Sequence, residues 1–390
     1  MYLLIANSSS LIAPTEPPPS PKRLPTMARV LLGMSGGLDS SVAAVLLKEQ
    51  GHDVIGMTIK TYSYDQIAGS NPANDTSCCS LDGILDARRV AYDLGIPHYV
   101  TDMTEEFGAE IIDYFKETYL QGETPNPCVK CNREIKWAAM LRKADALDCE
   151  YISTGHYVKM REENDRMVIS RSPDAAKDQT YALWAVRNEH FRRSIFPLQE
   201  LTKPEVRDIA RKLNLTVANK KESYEICFVH DNDYRRFLRD NVPSINELMP
   251  EGDFILEGKV VGHHEGLPFY TIGQRKGLGL SIPSHPEPLY VTGLDVVNNS
   301  VILGDDEELF STELIAHSVN FIKYDALPQS GLRITTKIRY KDEGASATVF
   351  PVGDDKIKVM FDTPRRAITA GQSVVLYEGD DVVCGGIIAV

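Results

Sequence analysis

Three short stretches of this 390-residue chain combine residue types that could do chemistry. The first is Ser35-Gly36-Gly37-Leu38-Asp39-Ser40-Ser41. Its two glycines let backbone N–H groups turn toward a bound anion, and a helix opening there adds its partial positive charge. Ser35 and Ser40 supply hydroxyl donors. Asp39 is a candidate Mg2+ ligand, since hard cations on phosphates prefer carboxylate oxygen. No G-x-x-x-x-G-K-[ST] exists in the chain and no G-x-G-x-x-G follows a strand, which excludes a Walker A loop and a dinucleotide fingerprint. The structural alternative is a Gly-Gly turn with a Ser/Asp helix cap. The second stretch is Thr124-Pro125-Asn126-Pro127-Cys128-Val129-Lys130-Cys131-Asn132, a loop stiffened by two prolines. Asn132 reads as the N-cap of a helix from Arg133 to about Leu147. Cys131 would then precede a helix N-terminus with Lys130 and Arg133 beside it, all of which favour thiolate. The third stretch is Glu225-Ile226-Cys227-Phe228.

These cysteines admit three readings. They could be buried small hydrophobes. Cys128 and Cys131 could bind zinc with Cys78 and Cys79, although that second pair is adjacent and no His-x3–5-His partner appears. Or one cysteine carries a persulfide that another resolves. An activated carbonyl plus a sulfur nucleophile gives a thiocarbonyl, which would join the anion-binding loop and the cysteines in one reaction.

The elements that must position these residues follow from the pattern. Strands are expected at Arg29–Met34, Asp53–Ile59, Pro97–Thr101 and Glu150–Thr154. Helices are expected at Leu38–Gln50, Asp82–Leu94 and Glu105–Leu120, and residues 61–77 read as a loop. This alternation predicts a doubly wound parallel sheet (α/β class), with ligands at the carboxyl ends of its strands. Helices Pro204–Leu213 and Asp233–Asn241 mark a small mixed central segment. Beyond about residue 250, strand-like runs at Phe254–Val261, Leu289–Val297, Arg333–Arg339, Ala345–Pro351, Lys356–Phe361, Ser373–Leu376 and Val382–Ile388 predict a C-terminal all-β barrel. The expected divisions are 27–228, 229–287 and 288–390. Residues 1–26, with six prolines, read as a disordered tail or as a start mis-assigned ahead of Met27.

Composition sets outer limits. Lys+Arg is 42 and Asp+Glu 55, giving a net charge of −13, with 43% hydrophobic and 25% charged residues. That is a globular balance, not a disordered or fibrous one. No apolar run approaches the ~18–20 residues of a membrane helix. The acidic balance argues against a general basic nucleic-acid coat, yet leaves room for a local basic groove. Arg235-Arg236 with Arg239, Arg275-Lys276, Arg333 to Lys341 and Arg365-Arg366 are expected to line one. Seven cysteines, an odd number at low density, suit a reducing cytoplasm.

From about Met27 to Val390 the chain resembles the bacterial tRNA-specific 2-thiouridylases (MnmA type, within the PP-loop ATPases). The resemblance rests on Ser35–Ser41, Thr124–Asn132, Thr154-Gly155-His156-Tyr157, Lys177-Asp178-Gln179-Thr180-Tyr181, Ile226-Cys227-Phe228, Tyr270–Leu278, Ile338-Arg339-Tyr340 and Gly371-Gln372. It implies an adenine-nucleotide fold of the PP-loop or HUP type, followed by a central tRNA-binding linker and the barrel. It also implies ATP-dependent adenylation of O2 of the wobble uridine of tRNA, position 34, then persulfide sulfur transfer to give 2-thiouridine. ATP and Mg2+ are the implied cofactors. The partners are tRNA and a sulfur relay protein or cysteine desulfurase, and the protein is expected to be a monomer. By match to the motifs, Cys227 carries the persulfide and Cys131 pairs with it. Gly33, Met34, Ser35, Gly36, Gly37, Leu38, Asp39 and Ser40 hold ATP phosphates, with Ile59 and Gly155 near the nucleoside. Asn126, Pro127 and Cys128 face the target base. His156, Lys177, Asp178, Gln179, Arg339, Tyr340 and Gln372 contact tRNA.

The chain departs from the family pattern where Cys128 replaces a frequent Asp, where Ile59 replaces a frequent Met, and at Tyr224-Glu225. Cys128, Cys131 and Cys227 together allow a [4Fe–4S] version of the reaction, as three thiolates can hold a cluster with one open iron. The other classes are an adenylating synthetase acting on a small molecule and a non-catalytic RNA binder. The first leaves these cysteines without a task, and the intact Ser35, Asp39 and Ser40 speak against the second.

Overall fold

A computed structural model describes residues 27–61, 81–220, 226–229, 231–280, 285, 287–353 and 355–389. The expected N-terminal tail, most of the 61–77 loop, Cys78, Cys79 and Tyr224-Glu225 lie outside the described residues.

The parallel sheet is present. Strands β1 (Arg29–Gly33), β2 (Asp53–Lys60), β3 (His98–Asp102), β4 (Tyr151–Ser153) and β7 (Ser194–Ile195) pair in the order β3-β2-β1-β4-β7, all in parallel. Val30, Leu31 and Leu32 of β1 are fully buried because helices cover both faces of a parallel sheet. Helix Leu38–Glu49 follows β1 and helix Leu81–Asp93 follows β2, each within a residue of expectation. The expected helix Glu105–Leu120 is a continuous helical run Thr104–Leu120 with a π-helical stretch at Gly108–Ile112.

A hairpin of β5 (Lys159–Glu163) and β6 (Arg166–Ser170), which the sequence pattern did not reveal, projects from this unit. The central sheet has the order β10-β11-β8-β9, from β8 (Gly252–Leu256), β9 (Lys259–His264), β10 (Tyr290–Asp295) and β11 (Ser300–Gly304). The single strand expected at Phe254–Val261 is thus a hairpin. Glu257 and Gly258 both have positive φ, 51° and 75°, as a two-residue turn of the right twist requires. The pairing also places residues 290–304, assigned from the sequence to the C-terminal unit, in the central sheet.

The barrel is closed. Strands β12 (Phe310–Phe321), β13 (Leu332–Lys337), β14 (Ala345–Val352), β15 (Lys356–Arg366), β16 (Ser373–Glu378) and β17 (Asp381–Ala389) form a six-stranded ring that shuts through the β12–β17 pairing. Its interior holds Leu314, Val349, Val359, Val374 and Ile388.

The parallel-sheet unit and the barrel share a core. Trp137, Met140, Tyr181 and Trp184 pack in one cluster with Val375, Tyr377 and Val382. A Cβ at Gly385 would lie 2.5 Å from the Trp184 ring, so only glycine admits the indole there. Trp184 Nε1 and Tyr181 Oη donate to the Ser373 hydroxyl and carbonyl at 2.9 and 2.7 Å.

The β5–β6 hairpin meets β17 at Ser170 and Asp381. Asp381 accepts from Arg161 at 2.7 Å, from Ser170 at 2.5 Å and from Lys323 at 2.8 Å. Burial alone would raise the Asp381 pKa, but these hydrogen bonds outweigh it and hold the carboxyl well below the usual carboxylate range. A depressed folded-state pKa adds stability that is present above the unfolded value of about 3.9 and lost as pH falls below it. Asp381→Asn is therefore expected to lose roughly 1–3 kcal/mol at pH 7 and to show a shallower loss of stability below about pH 4, read by urea unfolding across pH.

Candidate active site

Strands β1 and β4 are neighbours at the centre of the sheet, with β2 and β3 on one side and β7 on the other. Ligands on open α/β sheets bind in the crevice outside the carboxyl ends of the strands at such a reversal. The glycine loop leaves β1 there, and Gly155 follows β4. A Cβ at Gly155 would lie 2.8 Å from the Asp39 carbonyl carbon and from the Ser40 nitrogen, so the two turns touch backbone to backbone. Gly33 closes β1. Met34 is buried and accepts through its carbonyl from Thr58 Oγ1 at 2.6 Å. Gly36 has φ +67°, and a Cβ on it would meet the Gly83 carbonyl oxygen at 1.9 Å. Gly37 is the N-cap of the twelve-residue helix that begins at Leu38. Ser35 N–H donates to Ser40 Oγ at 3.3 Å, and the Ser40 and Ser41 hydroxyls donate to the Gly37 carbonyl. Lys220 Nζ donates to the Gly36 carbonyl at 3.0 Å and pairs with Asp86 at 2.6 Å. Ile59, near the end of β2, is half-buried between the two large cores.

Asp39 is engaged. Lys203 Nζ lies 2.7 and 2.8 Å from its two carboxylate oxygens, and Tyr157 Oη donates to Oδ1 at 2.7 Å. The Lys203 side chain is only 9% exposed. The carboxylate's charge is already matched, so Asp39 does not fit the expected role of an open magnesium ligand. Lys203 and Tyr157 carry no assigned task in the sequence reading. One signal was available. Lys203 opens a helix, Lys203–Lys212, behind a Thr202/Glu205 capping box, and a lysine at a helix N-terminus opposes the dipole unless a carboxylate faces it.

The cysteine-bearing loop departs from expectation in one respect. The helix starts at Pro127, with Asn126 as N-cap, and continues through a π-helical stretch Asn132–Ala139 to Ala146. Asn132 is not a cap. It is buried within the helical run, and its Nδ2 donates to the Ala182 carbonyl at 2.8 Å. Pro127 takes the first helical turn because its missing N–H costs nothing there. The favourable end of the dipole accordingly falls on Cys128, which is exposed, and not on Cys131.

Cys131 and Cys227 are both half-buried and border the same aromatic cluster. Phe228 anchors the Cys227 segment: its ring packs 5.2 Å from Phe115, 5.2 Å from Phe237 and 5.8 Å from Phe107. Phe228→Ala removes this anchor. It should cost roughly 3–5 kcal/mol of stability, checked by urea denaturation. Cys149 and Cys384 are buried, and burial pushes the Cys384 thiol up to about 12, so it is inert at neutral pH. Among the described residues no three His, Cys, Asp or Glu side chains are grouped to hold a metal.

The residues expected at the RNA divide into two sets. Lys177 and Gln179 are half-exposed, and Arg339 and Tyr340 are exposed. Tyr340 Oη donates to the Asp178 carbonyl at 3.1 Å, which joins the two motifs, and Arg339 donates to the Arg366 carbonyl. His156 and Asp178, by contrast, are buried. His156 packs 5.5 Å from Trp137 and bonds Thr154 Oγ1, and burial holds its pKa well below the ordinary value, so the ring is neutral. Asp178 accepts from Thr180 Oγ1 at 2.7 Å and from the Ser172 backbone. Gln179 Oε1 accepts from the Tyr157 backbone at 2.9 Å. Gln372 donates to the carbonyls of Thr124 and Pro125.

The basic clusters converge in part. An Arg235 guanidinium nitrogen lies 3.6 Å from the Cβ position of Gly277, and one of Arg366 lies 3.6 Å from that of Gly273. Much of the charge is already paired, Arg236 with Asp231 and Asp240, Arg365 with Asp342, Arg366 with Asp306 and Arg333 with Asp362. Among the described residues no helix is long and apolar enough to cross a membrane.

Comparison with known proteins covers the same three units. Residues 28–231 match the tRNA methyl transferase HUP domain, residues 237–305 the tRNA methyl transferase PRC-barrel domain, and residues 311–388 the aminomethyltransferase beta-barrel domain. The tRNA-specific 2-thiouridylase MnmA of Salinibacter ruber is 51% identical over 362 residues, covering 92% of this chain and 93% of that protein. The protein of the same name from Cytophaga hutchinsonii is 49% identical over 360 residues, covering 92% and 96%. Among solved structures, a 4-thiouridine synthetase–RNA complex with bound ATP matches 57% of this chain and 52% of its own at 16% identity, with a TM-score of 0.36.

Proposed function

We propose a function from one premise: this chain belongs to the family of tRNA-specific 2-thiouridylases. It is an ATP-dependent tRNA-uridine 2-sulfurtransferase acting on the wobble uridine. The observation that carries this reading is the placement of the Gly33–Ser40 loop and Gly155 at the sheet's reversal point, together with Cys131 and Cys227 on one aromatic core.

O2 of the uridine attacks the α-phosphorus of ATP and pyrophosphate leaves. The backbone N–H groups of the loop and the start of helix Leu38–Glu49 hold the phosphates through the charge that builds in this step. The O2-adenylate turns a poor leaving oxygen into AMP. Cys227 carries a persulfide delivered by a sulfur relay protein or a cysteine desulfurase. Its terminal sulfur attacks C2, and the Cys131 thiolate attacks the inner sulfur, so that the S–S bond of the persulfide breaks. AMP departs, 2-thiouridine remains, and the Cys131–Cys227 disulfide that results is reduced by an external dithiol. Asn126, Pro127 and Cys128 face the base at the helix N-terminus. Lys177, Gln179, Arg339 and Tyr340 meet the RNA, while His156 and Asp178 support that surface from inside. The enzyme works as a cytoplasmic monomer.

The test is anaerobic incubation with ATP, Mg2+, a persulfide source and unmodified tRNA, followed by digestion and mass spectrometry. 2-Thiouridine that depends on both ATP and persulfide supports the reading. ATP–pyrophosphate exchange that proceeds without tRNA, with no thiouridine formed, would replace it by a small-molecule adenylating synthetase.

A further inference from the structure

We propose that the barrel loop 367–372 is a clamp on the cysteine-bearing loop, and that Gln372 is its positioning residue. Gln372 Nε2 donates to the carbonyls of Thr124 at 3.0 Å and Pro125 at 3.1 Å. A primary amide nitrogen has two hydrogens, so both donors are committed. A bond in the other direction completes the clamp, for Thr124 N–H donates to the Ala370 carbonyl at 2.9 Å. Between them Gly371, φ +82°, brings its backbone against Thr124. A Cβ there would lie 2.8 Å from the Thr124 oxygen and 3.0 Å from its nitrogen.

The clamp is itself fixed. Gly371 N–H donates to the Ile388 carbonyl and Ile388 N–H to the Gln372 carbonyl, which ties the loop to β17, and Ala367 N–H donates to the Leu309 carbonyl. Thr124 and Pro125 immediately precede Asn126, the N-cap of the helix that carries Cys128 and Cys131. The barrel thus sets where that helix begins, and through it the direction of Cys131.

This inference rests on the thiolation reading for its kinetic readout but not for its structural one. Gly371→Ala should lower the single-turnover rate of thiolation about tenfold, with the KM for tRNA within about twofold of wild type, because a displaced reactive group costs turnover more than binding, and Gln372→Ala should lower the same rate. In the RNA-free protein, amide hydrogen exchange over residues 121–131 should accelerate in both variants, with helix Leu38–Glu49 unchanged as the internal control. Exchange over 121–131 unchanged in both variants, whatever the KM for tRNA does, would overturn the clamp. If wild type forms no 2-thiouridine, the proposed function fails, and hydrogen exchange still decides the clamp.

Discussion

Cys227→Ser is expected to abolish 2-thiouridine formation while tRNA-dependent ATP–pyrophosphate exchange continues. A serine cannot carry a persulfide, so no sulfur reaches C2, yet the hydroxyl keeps nearly the same volume beside Phe228 and the aromatic cluster that anchors the segment. On the proposed reading adenylation belongs to a different part of the molecule, the loop between β1 and helix Leu38–Glu49. Cys131→Ser should give a related but distinguishable result. With a persulfide already on Cys227 the variant should stall with sulfur bound, visible as a +32 Da adduct on Cys227 in intact or peptide mass spectra. Thiouridine from Cys227→Ser at a rate within tenfold of wild type, or loss of pyrophosphate exchange together with thiolation, would remove Cys227 from the role of sulfur carrier.

Lys203→Met should raise the KM for ATP at least tenfold and lower adenylation by about 10^2, because it leaves the Asp39 carboxylate unmatched beside the loop that holds polyphosphate. At an effective dielectric of about 20, a charge pair 4 Å apart is worth about 4 kcal/mol, so an uncompensated carboxylate facing a triphosphate is a large penalty. The observed contacts of 2.7 and 2.8 Å and the near-complete burial of Lys203 place it in the regime where losing one partner hurts most. The diagnostic variant is the pair Asp39→Asn with Lys203→Met. If the ammonium acts chiefly by neutralising Asp39, the double variant should recover part of the ATP affinity lost in Lys203→Met, a coupling that a double-mutant cycle measures. Strict additivity would mean that Lys203 acts on the nucleotide independently of Asp39.

How much of this was readable in advance follows from the range of each interaction. The parallel sheet and the glycine loop were legible because their signals are local, a buried strand, a turn and a helix start within a dozen residues. The closed barrel was legible as a texture, but not strand by strand. The turn at Glu257-Gly258 was hidden because Glu is not among the residues that favour a left-handed conformation. The β5–β6 hairpin was hidden because its strand Lys159–Glu163 is mostly charged. Asn132 was misread although Asn126-Pro127, a cap followed by proline, carried the better signal six residues earlier. The Asp39–Lys203 pair spans 164 positions and the Gln372–Thr124 contact 248, and no local pattern reports such distances. The burial of His156 is of the same kind, since Trp137 and the strands around it must first be assembled.

The shared core has a consequence for synthesis. Val375, Tyr377 and Val382 complete the cluster that begins with Leu31, and Ala370 to Gln372 hold the loop at Thr124. On a ribosome these residues, 370 to 382 of 390, come last, while the glycine loop emerges early. Domains generally fold as they appear. A nascent polypeptide would therefore gain the nucleotide crevice long before its cysteine helix is fastened. Truncated or prematurely released chains would bind ATP with an unsecured thiol, and only translation through β17 would bring the two halves of the chemistry into register.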